Sequence, residues 1–539
     1  MNTSFRTLTT LYAPSFPLVV IAAYTKSTSV RGYAQWFFGG AAKDARRSLT
    51  NAELWAAAVL LLIAYLQVLA GIGMIVAGLT WDYAGGLTLG TALLLGVPFV
   101  SFLLAPFASF ATAIRVKPAA KALLCSILEA QVRALRKRQG FTIIAVVGSV
   151  GKTSTKLATA QLLERVGARV QYQTGNYNDR LTVPLVVFGR QLPGLFNVFA
   201  WLKIILQNAR AIHKEYPYDI VVLELGTDGP GQIEQFAYLL PELTIVTAIA
   251  PEHMEHFGTL AAVAKEEFAV TGFSDQLLIN VSDVPGEYLP KVPFAAYGGA
   301  KTAHNYSVTS KSRGLDGQTL TVCKHGKKLL ACDTPFLGEH GAKIVLAAIT
   351  TADMLEYPVD KIAKAAGQLQ PFAGRMQVLA GTQGSTIIDD TYNASPEAVA
   401  AALTVLGEAT APQKIAVLGS MNELGKTSKK AHEAIGASID PAQIDLVVTS
   451  GKEAEQYLAP AATTAGNSVV SFLNPHEAGE YVREYTQDGA VVLFKGSQNG
   501  VFAEEAIKPL LKNKKDTAKL VRQTKGWLKA KRKQFKLPK

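Results

Sequence analysis

Apolar residues follow two different rhythms along this chain. Over 54–81 (LWAAAVLLLIAYLQVLAGIGMIVAGLTW) and again over 83–114 no charged residue interrupts the hydrophobic sequence. Each run exceeds the ~20 residues that a helix needs to cross the hydrocarbon of a bilayer. The pattern predicts two transmembrane helices, at about 54–81 and 87–114, joined by WDYAGG at 81–86. Arg31, Lys43, Arg46 and Arg47 precede the pair and Arg115, Lys117 and Lys121 follow it. The positive-inside rule then places both outer ends, and everything downstream, on the cytoplasmic side of the cell membrane. No cleaved signal peptide is expected: the long runs begin some fifty residues in, and the apolar stretch 15–24 is too short to span.

After a basic connector ending in RALRKRQG (133–140) the rhythm changes to short apolar strands alternating with helices, which is the α/β signature. Strands are expected at 142–147, 219–224, 243–249 and 276–280, and a second set at 385–389, 414–418, 444–449 and 490–494. Between the sets, 305–332 alternates polar and apolar residues around Leu315-Asp316-Gly317 and reads as a small antiparallel insertion. The apolar stretch 195–206 is too short to span and reads as a core helix, with a helix lying on the bilayer as the alternative.

Composition sharpens this picture in three places. A hydrophobic fraction of 49% and a mean hydropathy of +0.18 are high for a chain with 18% charged residues, in keeping with the apolar runs near the N-terminus. Cys125, Cys323 and Cys332 have no CxxC spacing, so neither a disulfide framework nor a zinc knuckle is indicated. The net charge of +12 is concentrated in 512–539, where twelve Lys/Arg stand against the single Asp516. With Trp527 and Phe535 among the lysines, this basic tail suits a lipid bilayer bearing anionic lipid. A solvated tail is the alternative, and nucleic acid is not the expected partner.

The chemistry begins where TIIAVV runs into Gly148, Ser149, Val150, Gly151, Lys152, Thr153 and Ser154, followed by a helical stretch ending near Gly167. Strand, glycine loop and helix in that order cradle phosphate: amides at the helix start bind anionic oxygens, Lys152 neutralises charge and Thr153 can bind magnesium. Val146 stands where the general P-loop pattern has a glycine, so the loop alone indicates nucleotide binding and leaves the reaction open. His253, Glu255 and His256 do not have the HExxH spacing of a zinc site.

The motifs after the loop resemble those of the Mur ligases, especially the MurF family, over roughly residues 141–510. Gly148–Ser154 resembles the family's ATP loop. Gly175-Asn176-Tyr177-Asn178 with Val183-Pro184-Leu185 resembles its GNxN...PL segment, and Glu224-Leu225-Gly226 its acidic strand end. His253-Met254-Glu255 with Phe257-Gly258-Thr259 resembles HLExFGS, and Gly374-Arg375-Met376 its interdomain arginine. Asp389-Asp390-Thr391-Tyr392-Asn393-Ala394-Ser395-Pro396 is the most specific match. Leu418–Gly425 and Lys495-Gly496-Ser497 follow in order.

The resemblance implies an α/β fold with a P-loop α/β central domain over 141–377 and a C-terminal Rossmann-like α/β domain over 378–511. These would lie between the transmembrane hairpin of 1–140 and the basic tail. It implies ATP and Mg2+ as cofactors. Lys152, Glu224, His253 and Glu267 would be catalytic; Thr153, Glu224, His253 and Glu267 would hold metal; Arg375 and Asp390 would join the loop in binding ATP; and Asn176, Asn178, Tyr392 and Asn393 would bind substrate.

Three departures from the family pattern matter. A lysine, carbamoylated in several members, stands about fourteen residues after the metal-binding histidine, and here the count from His253 reaches Glu267 rather than Lys265. Glu267 is expected to supply directly the carboxylate that the modified lysine supplies elsewhere, the alternative being a solvated charge on KEEF (265–268). In the segment matching GxHNxxN, around His340, the two asparagines are Gly341 and Ile344, which opens the question of base preference. The first 140 residues bear no resemblance to the domain that grips the uridine diphosphate end of the substrate in MurF enzymes.

The resulting expectation is ligation of an amine donor, D-alanyl-D-alanine, to the carboxylate of a muramyl-peptide acceptor through an acyl phosphate. The alternatives are a Mur-type ligase on a lipid-linked or polymeric acceptor, as in poly-γ-glutamate synthases, and a nucleotide-binding membrane scaffold without ligase activity.

Overall fold

The computed structural model describes residues 117–194, 197–300, 305–498 and 500–535, with positions 66, 69, 70, 72, 74 and 76. Contacts divide the chain into two units, residues 1–130 with 192–207, and residues 131–191 with 208–539.

The larger unit is built on two sheets. The first contains β1 (Thr142–Val147), β2 (Val170–Gln171), β3 (Ile220–Glu224), β4 (Leu243–Val246), β5 (Gln276–Asn280), β6 (Ala295–Gly299), β7 (Tyr306–Ser312), β8 (Gln318–Lys324) and β9 (Lys327–Thr334), in spatial order β2-β3-β1-β4-β5-β6-β7-β8-β9. Pairing is parallel from β2 through β7 and antiparallel from β7 to β9. Strand β1 is apolar throughout and buried at all but its first residue, as expected of a parallel strand covered on both faces. On one face lie α2 (Lys152–Val166) and α5 (Gly338–Met354), with Leu162, Leu163, Val345 and Ile349 in one apolar cluster. On the other, Val132 and Leu135 of α1 (Lys117–Arg138) pack with Phe236 and Phe268.

The second sheet contains β10 (Gln377–Ala380), β11 (Thr386–Asp390), β12 (Lys414–Gly419), β13 (Leu446–Ser450), β14 (Val469–Phe472) and β15 (Val491–Lys495), in order β10-β11-β15-β12-β13-β14, with only the edge strand β10 antiparallel. Apolar clusters cover both faces. Helix α6 (Pro396–Glu408) starts cleanly because the Ser395 hydroxyl accepts a hydrogen bond from Ala398 N and Pro396 sits at the first helical position.

Every strand expected from the sequence is present. The short strands β2, β6, β10 and β14 go beyond the sequence expectation, and residues 306–334 form the expected antiparallel strands, which continue the first sheet through β6.

The membrane placement is corrected. No helix among the described residues is long and apolar enough to cross a membrane. Helix α1 has 22 residues but carries seven charges, and α3 (Val198–Ala211), with 14 residues, is about 21 Å long against a hydrocarbon core of ~30 Å. The runs 54–81 and 87–114 lie outside the described residues apart from six positions. The expectation of a two-span chain in the cell membrane, with its catalytic domains on the cytoplasmic side, is therefore withdrawn. Helix α3, in the smaller unit, buries Trp201 and Ile204 and exposes Val198, Phe199, Leu202 and Leu206.

The basic segment is no loose tail. Helix α7 (Lys525–Phe535) buries Lys531, which pairs with Glu504 at 2.7 Å and Glu505 at 2.6 Å, while Trp527 and Phe535 meet Phe502 edge-on. Nothing observed supports a contact with anionic lipid.

Candidate active site

The phosphate loop sits at the carboxyl end of β1, the position at which parallel α/β sheets bind ligands. Gly148 has φ 118°, and a Cβ there would lie 2.5 Å from Thr247 Oγ1 and 2.8 Å from the Ala248 carbonyl, so only glycine fits. Gly151, at φ 87°, opens α2 and lies under His340: a Cβ at Gly151 would come within 3.2 Å of the imidazole. The end of β4 clasps the loop, because Thr247 Oγ1 donates to Val150 O at 2.6 Å and Ser149 N donates to Ala248 O at 2.8 Å. Ser149 Oγ accepts from Ala250 N, and Thr153 and Ser154 are buried in the first turn of α2.

Three carboxylates surround the loop lysine. Lys152 Nζ lies 3.4 Å from Glu252 and 3.9 Å from Glu267, and donates back to Gly148 O. Burial would lower the Lys152 pKa, but Glu252, Glu267 and Glu224 together raise it above the ordinary lysine value. Glu267 has no exposed surface; its Oε2 accepts from Gly148 N at 2.8 Å and its Oε1 has no hydrogen-bond partner. Its neighbour Glu266 turns the other way and accepts from the amides of Gly231, Gln232 and Ile233 at 2.6–2.8 Å, anchoring a structural turn. Position 267, not 265, thus faces the loop, from the last turn of α4 (Leu260–Glu267).

Glu224 ends β3 and meets Lys156 at 3.1 Å and Asn178 Nδ2 at 3.2 Å. Burial pushes its carboxyl up, but Lys156, Lys152 and a Thr153 hydrogen bond outweigh burial and hold it below the usual range. Glu252 is displaced the other way: burial raises its pKa, Lys152 opposes and Glu267 adds to the rise.

Not all expected ligands converge. His253, held at φ 45°, approaches Asp228 at 3.5 Å, and no group of three His, Cys, Asp or Glu side chains able to hold a metal occurs among the described residues. Asn176 is exposed, while Asn178 reaches Glu224 and bonds its carbonyl to Gly226 N.

The second sheet contributes the carboxyl ends of β11, β12 and β15. Asp390 pairs with the buried Lys495 at 2.5 Å and accepts from Met376 N; Lys495 also donates to Asn393 O. Asn393 Oδ1 accepts from Gln498 N, and Asn422 Nδ2 donates to Gln498 O at 2.6 Å, so three loops are tied into one surface. Arg375 stacks over the Tyr392 ring at 4.0 Å, and its buried Nε has no hydrogen-bond partner. His340 joins the two halves. Its imidazole lies over Gly151, with Asp283, Asp390 and Arg375 close enough to act on it. Gly425 of the second half comes up to Glu255, where a Cβ would lie 3.7 Å from the glutamate Cβ.

Sequence reasoning missed Glu252, Lys156 and the tie from Lys495 to Asp390. The first two had a local signal: Glu252 precedes His253, and Lys156 stands one helical turn after Lys152. Gly341 also finds its reason, since a Cβ there would lie 3.0 Å from Phe336 Cβ.

A glycine loop with a lysine among buried carboxylates, faced by an arginine and an aspartate from a second α/β sheet, defines an enzyme that handles a nucleotide's phosphates. Family models described as "Mur ligase middle domain" and "Mur ligase, glutamate ligase domain" match residues 200–352 and 374–498, together over half of the chain. The chain belongs to the Mur ligases, ATP-dependent enzymes that form carbon–nitrogen bonds. It is 27% identical over 392 residues to the UDP-N-acetylmuramoyl-tripeptide–D-alanyl-D-alanine ligase of Bacillus subtilis, covering 72% of this chain and 79% of that one. It is 26% identical over 391 residues to the Escherichia coli enzyme of the same name, covering 70% and 79%. Among solved structures, MurF from Acinetobacter baumannii superposes with a TM-score of 0.59 at 21% identity, covering 72% of this chain and 79% of that one. MurF from Thermotoga maritima in complex with ADP gives 0.57 at 23%, covering 71% and 83%.

Proposed function

We propose that this chain joins D-alanyl-D-alanine to the terminal carboxylate of a muramyl tripeptide, coupled to conversion of ATP to ADP and phosphate. The reading rests above all on the three carboxylates gathered round the phosphate-loop lysine, two of them fully buried, with Arg375 and Asp390 at the facing end of the second sheet. The MurF-type relatives supply the substrates.

The chemistry divides into two steps. The acceptor carboxylate attacks the γ-phosphoryl group of ATP, giving an acyl phosphate and ADP; the donor amine then attacks the acyl carbon, and phosphate leaves with the bonding pair. In the first step the loop amides and Lys152 hold the phosphates and offset the charge spreading over the transferring group. Lys152 must let go of Gly148 O to do so. Arg375, with its Nε unpaired, adds a second cation from the opposite side.

The residues present fit a divalent cation. Glu252 Oε1 and Glu267 Oε1 are buried oxygens without hydrogen-bond partners, Glu224 Oε2 lies 3.1 Å from Lys156 Nζ, and hard oxygen donors are what Mg2+ selects. Thr153, Glu224, Glu252 and Glu267 would hold it, while His253 stands apart beside Asp228. When bound, Mg2+ offsets phosphate charge that Lys152 alone cannot. We further infer that Glu267 serves as a built-in carboxylate where relatives of this class use a carbamoylated lysine, that Asn178, Tyr392 and Asn393 line the substrate side with Asn176 at its exposed edge, and that the catalytic halves divide near residue 377.

The lipid-linked acceptor rested on the membrane hairpin and is set aside with it; the scaffold reading does not account for the carboxylate cluster. The decisive experiment is phosphate release with ATP and magnesium, supplying UDP-muramyl-tripeptide and D-alanyl-D-alanine together or singly. Release requiring both, with pentapeptide product by mass, is expected; release independent of the pair overturns the assignment.

A further inference from the structure

The last turn of chain before α7 reaches into the site. Arg522, with an 8% exposed side chain, donates Nη1 to Tyr392 O at 3.0 Å and Nη2 to Thr391 O at 2.5 Å. Its Nε and Nη2 also grip the fully buried Glu504 at 2.9 and 2.8 Å. Val521 closes on the neighbouring strand of the same junction: a Cβ at Gly374 would lie 2.9 Å from Val521 Cγ1 and equally close to Tyr392 N, which donates to Gly374 O at 3.0 Å. Two adjacent residues therefore touch both Gly374, next to Arg375, and Thr391–Tyr392, next to Asp390.

The clamp is anchored from behind. Lys531 of α7 bridges Glu504 and Glu505, and Phe502 is flanked by Trp527 and Phe535. Arg522 itself has φ 55°, a conformation non-glycine residues adopt only when their surroundings hold them there. All of this lies beyond residue 498, where the match to the family's C-terminal domain stops.

We infer that Arg522 is a positioning residue for catalysis: through the Thr391 and Tyr392 carbonyls it sets the Tyr392 ring on which Arg375 stacks, and so aims the Arg375 guanidinium at the phosphates. The inference rests on the proposed role of Arg375. A guanidinium is required because four bonds leave it in one plane, two to carbonyls and two to a carboxylate; the single ammonium of lysine satisfies the carboxylate and leaves the carbonyls unheld.

The test is a double-mutant cycle on the full chain, read as kcat/KM for ATP in the ligation assay alongside the melting temperature. Arg522→Lys is expected to lower kcat/KM about tenfold in the parent and less than about twofold in an Arg375→Ala background, because both changes remove the same aimed cation. Lys529→Ala, on the exposed side of α7, is expected to match the parent. An equal loss in both backgrounds, or none in the parent, overturns the positioning role while leaving the Arg375 assignment standing. Parent-like kinetics in Arg375→Ala alone would instead overturn that assignment, and the inference with it. Should Arg522→Lys lose its cooperative melt, Val521→Ala carries the same cycle, with a smaller loss in the parent that again shrinks when Arg375 is absent.

Discussion

Glu267 and Glu266 are adjacent acids with opposite employment: one caps three backbone amides, the other faces the phosphate loop with an oxygen to spare. Glu267→Ala is expected to abolish phosphate release, and Glu267→Lys to regain it only with added bicarbonate; full activity in Glu267→Ala would sink the proposed role. Lys152→Ala should lower kcat by roughly 10²–10³-fold, since no other ammonium takes its place against the transferring charge. Asp389, beside the site, makes a different prediction. Burial lifts its pKa to about 6, against hydrogen bonds from Thr391 that pull it down. A carboxyl that is harder to ionise when folded lends stability at low pH, which is lost as pH rises from about 4 to about 6, in all about 3 kcal/mol. Asp389→Asn should flatten that part of the profile, seen as a urea midpoint that changes less than the parent's between about pH 4 and about pH 7.

At the scale of elements, α2 carries the loop lysine at its first residue and Lys156 one turn on, buried against Glu224. Lys156→Met would strand a buried carboxylate and should cost about 3–5 kcal/mol, measurable by denaturant titration, with added magnesium recovering part of it if the ion takes over the neutralisation. The elements themselves were largely legible. Apolar strands such as TIIAVV and VVLFK announce themselves, because a parallel strand buried on both faces has no polar alternation to confuse the reading. Strands β2 and β14 were missed since two and four residues leave too little pattern, and β10 since an antiparallel edge strand needs no apolar run. The 54–81 and 83–114 runs met every local criterion for spanning, but they lie almost wholly outside the described residues, among which no helix is long and apolar enough to cross a membrane. The roles of Arg522 and Lys495 were illegible for another reason: each acts on residues more than a hundred positions away, and no spacing rule reports such a pairing.

For the whole molecule, the site exists only where two sheets present their carboxyl ends to each other, so ligands that touch both should stabilise the pair together. ADP with magnesium at about a hundred times its Kd should raise stability by about 2.7 kcal/mol, and Arg375→Ala should remove most of that gain, as read by thermal melts with and without nucleotide. After the helix Val359–Gly367 the chain crosses to the second sheet, where Gly374, Arg375 and Met376 lead straight into β10, and both residues flanking the arginine hold left-handed backbone, at φ 65° and 52°. A point on an axle sweeps no arc when the wheel turns. If the second sheet swings about this junction, the 420–425 and 495–498 loops travel while Arg375 only rotates, remaining within reach of the phosphates at every angle. The arginine proposed to meet the transferring group is then also the least displaced part of the moving half, and a chimera that exchanges the second domain must keep these three residues with whichever half carries the phosphate loop.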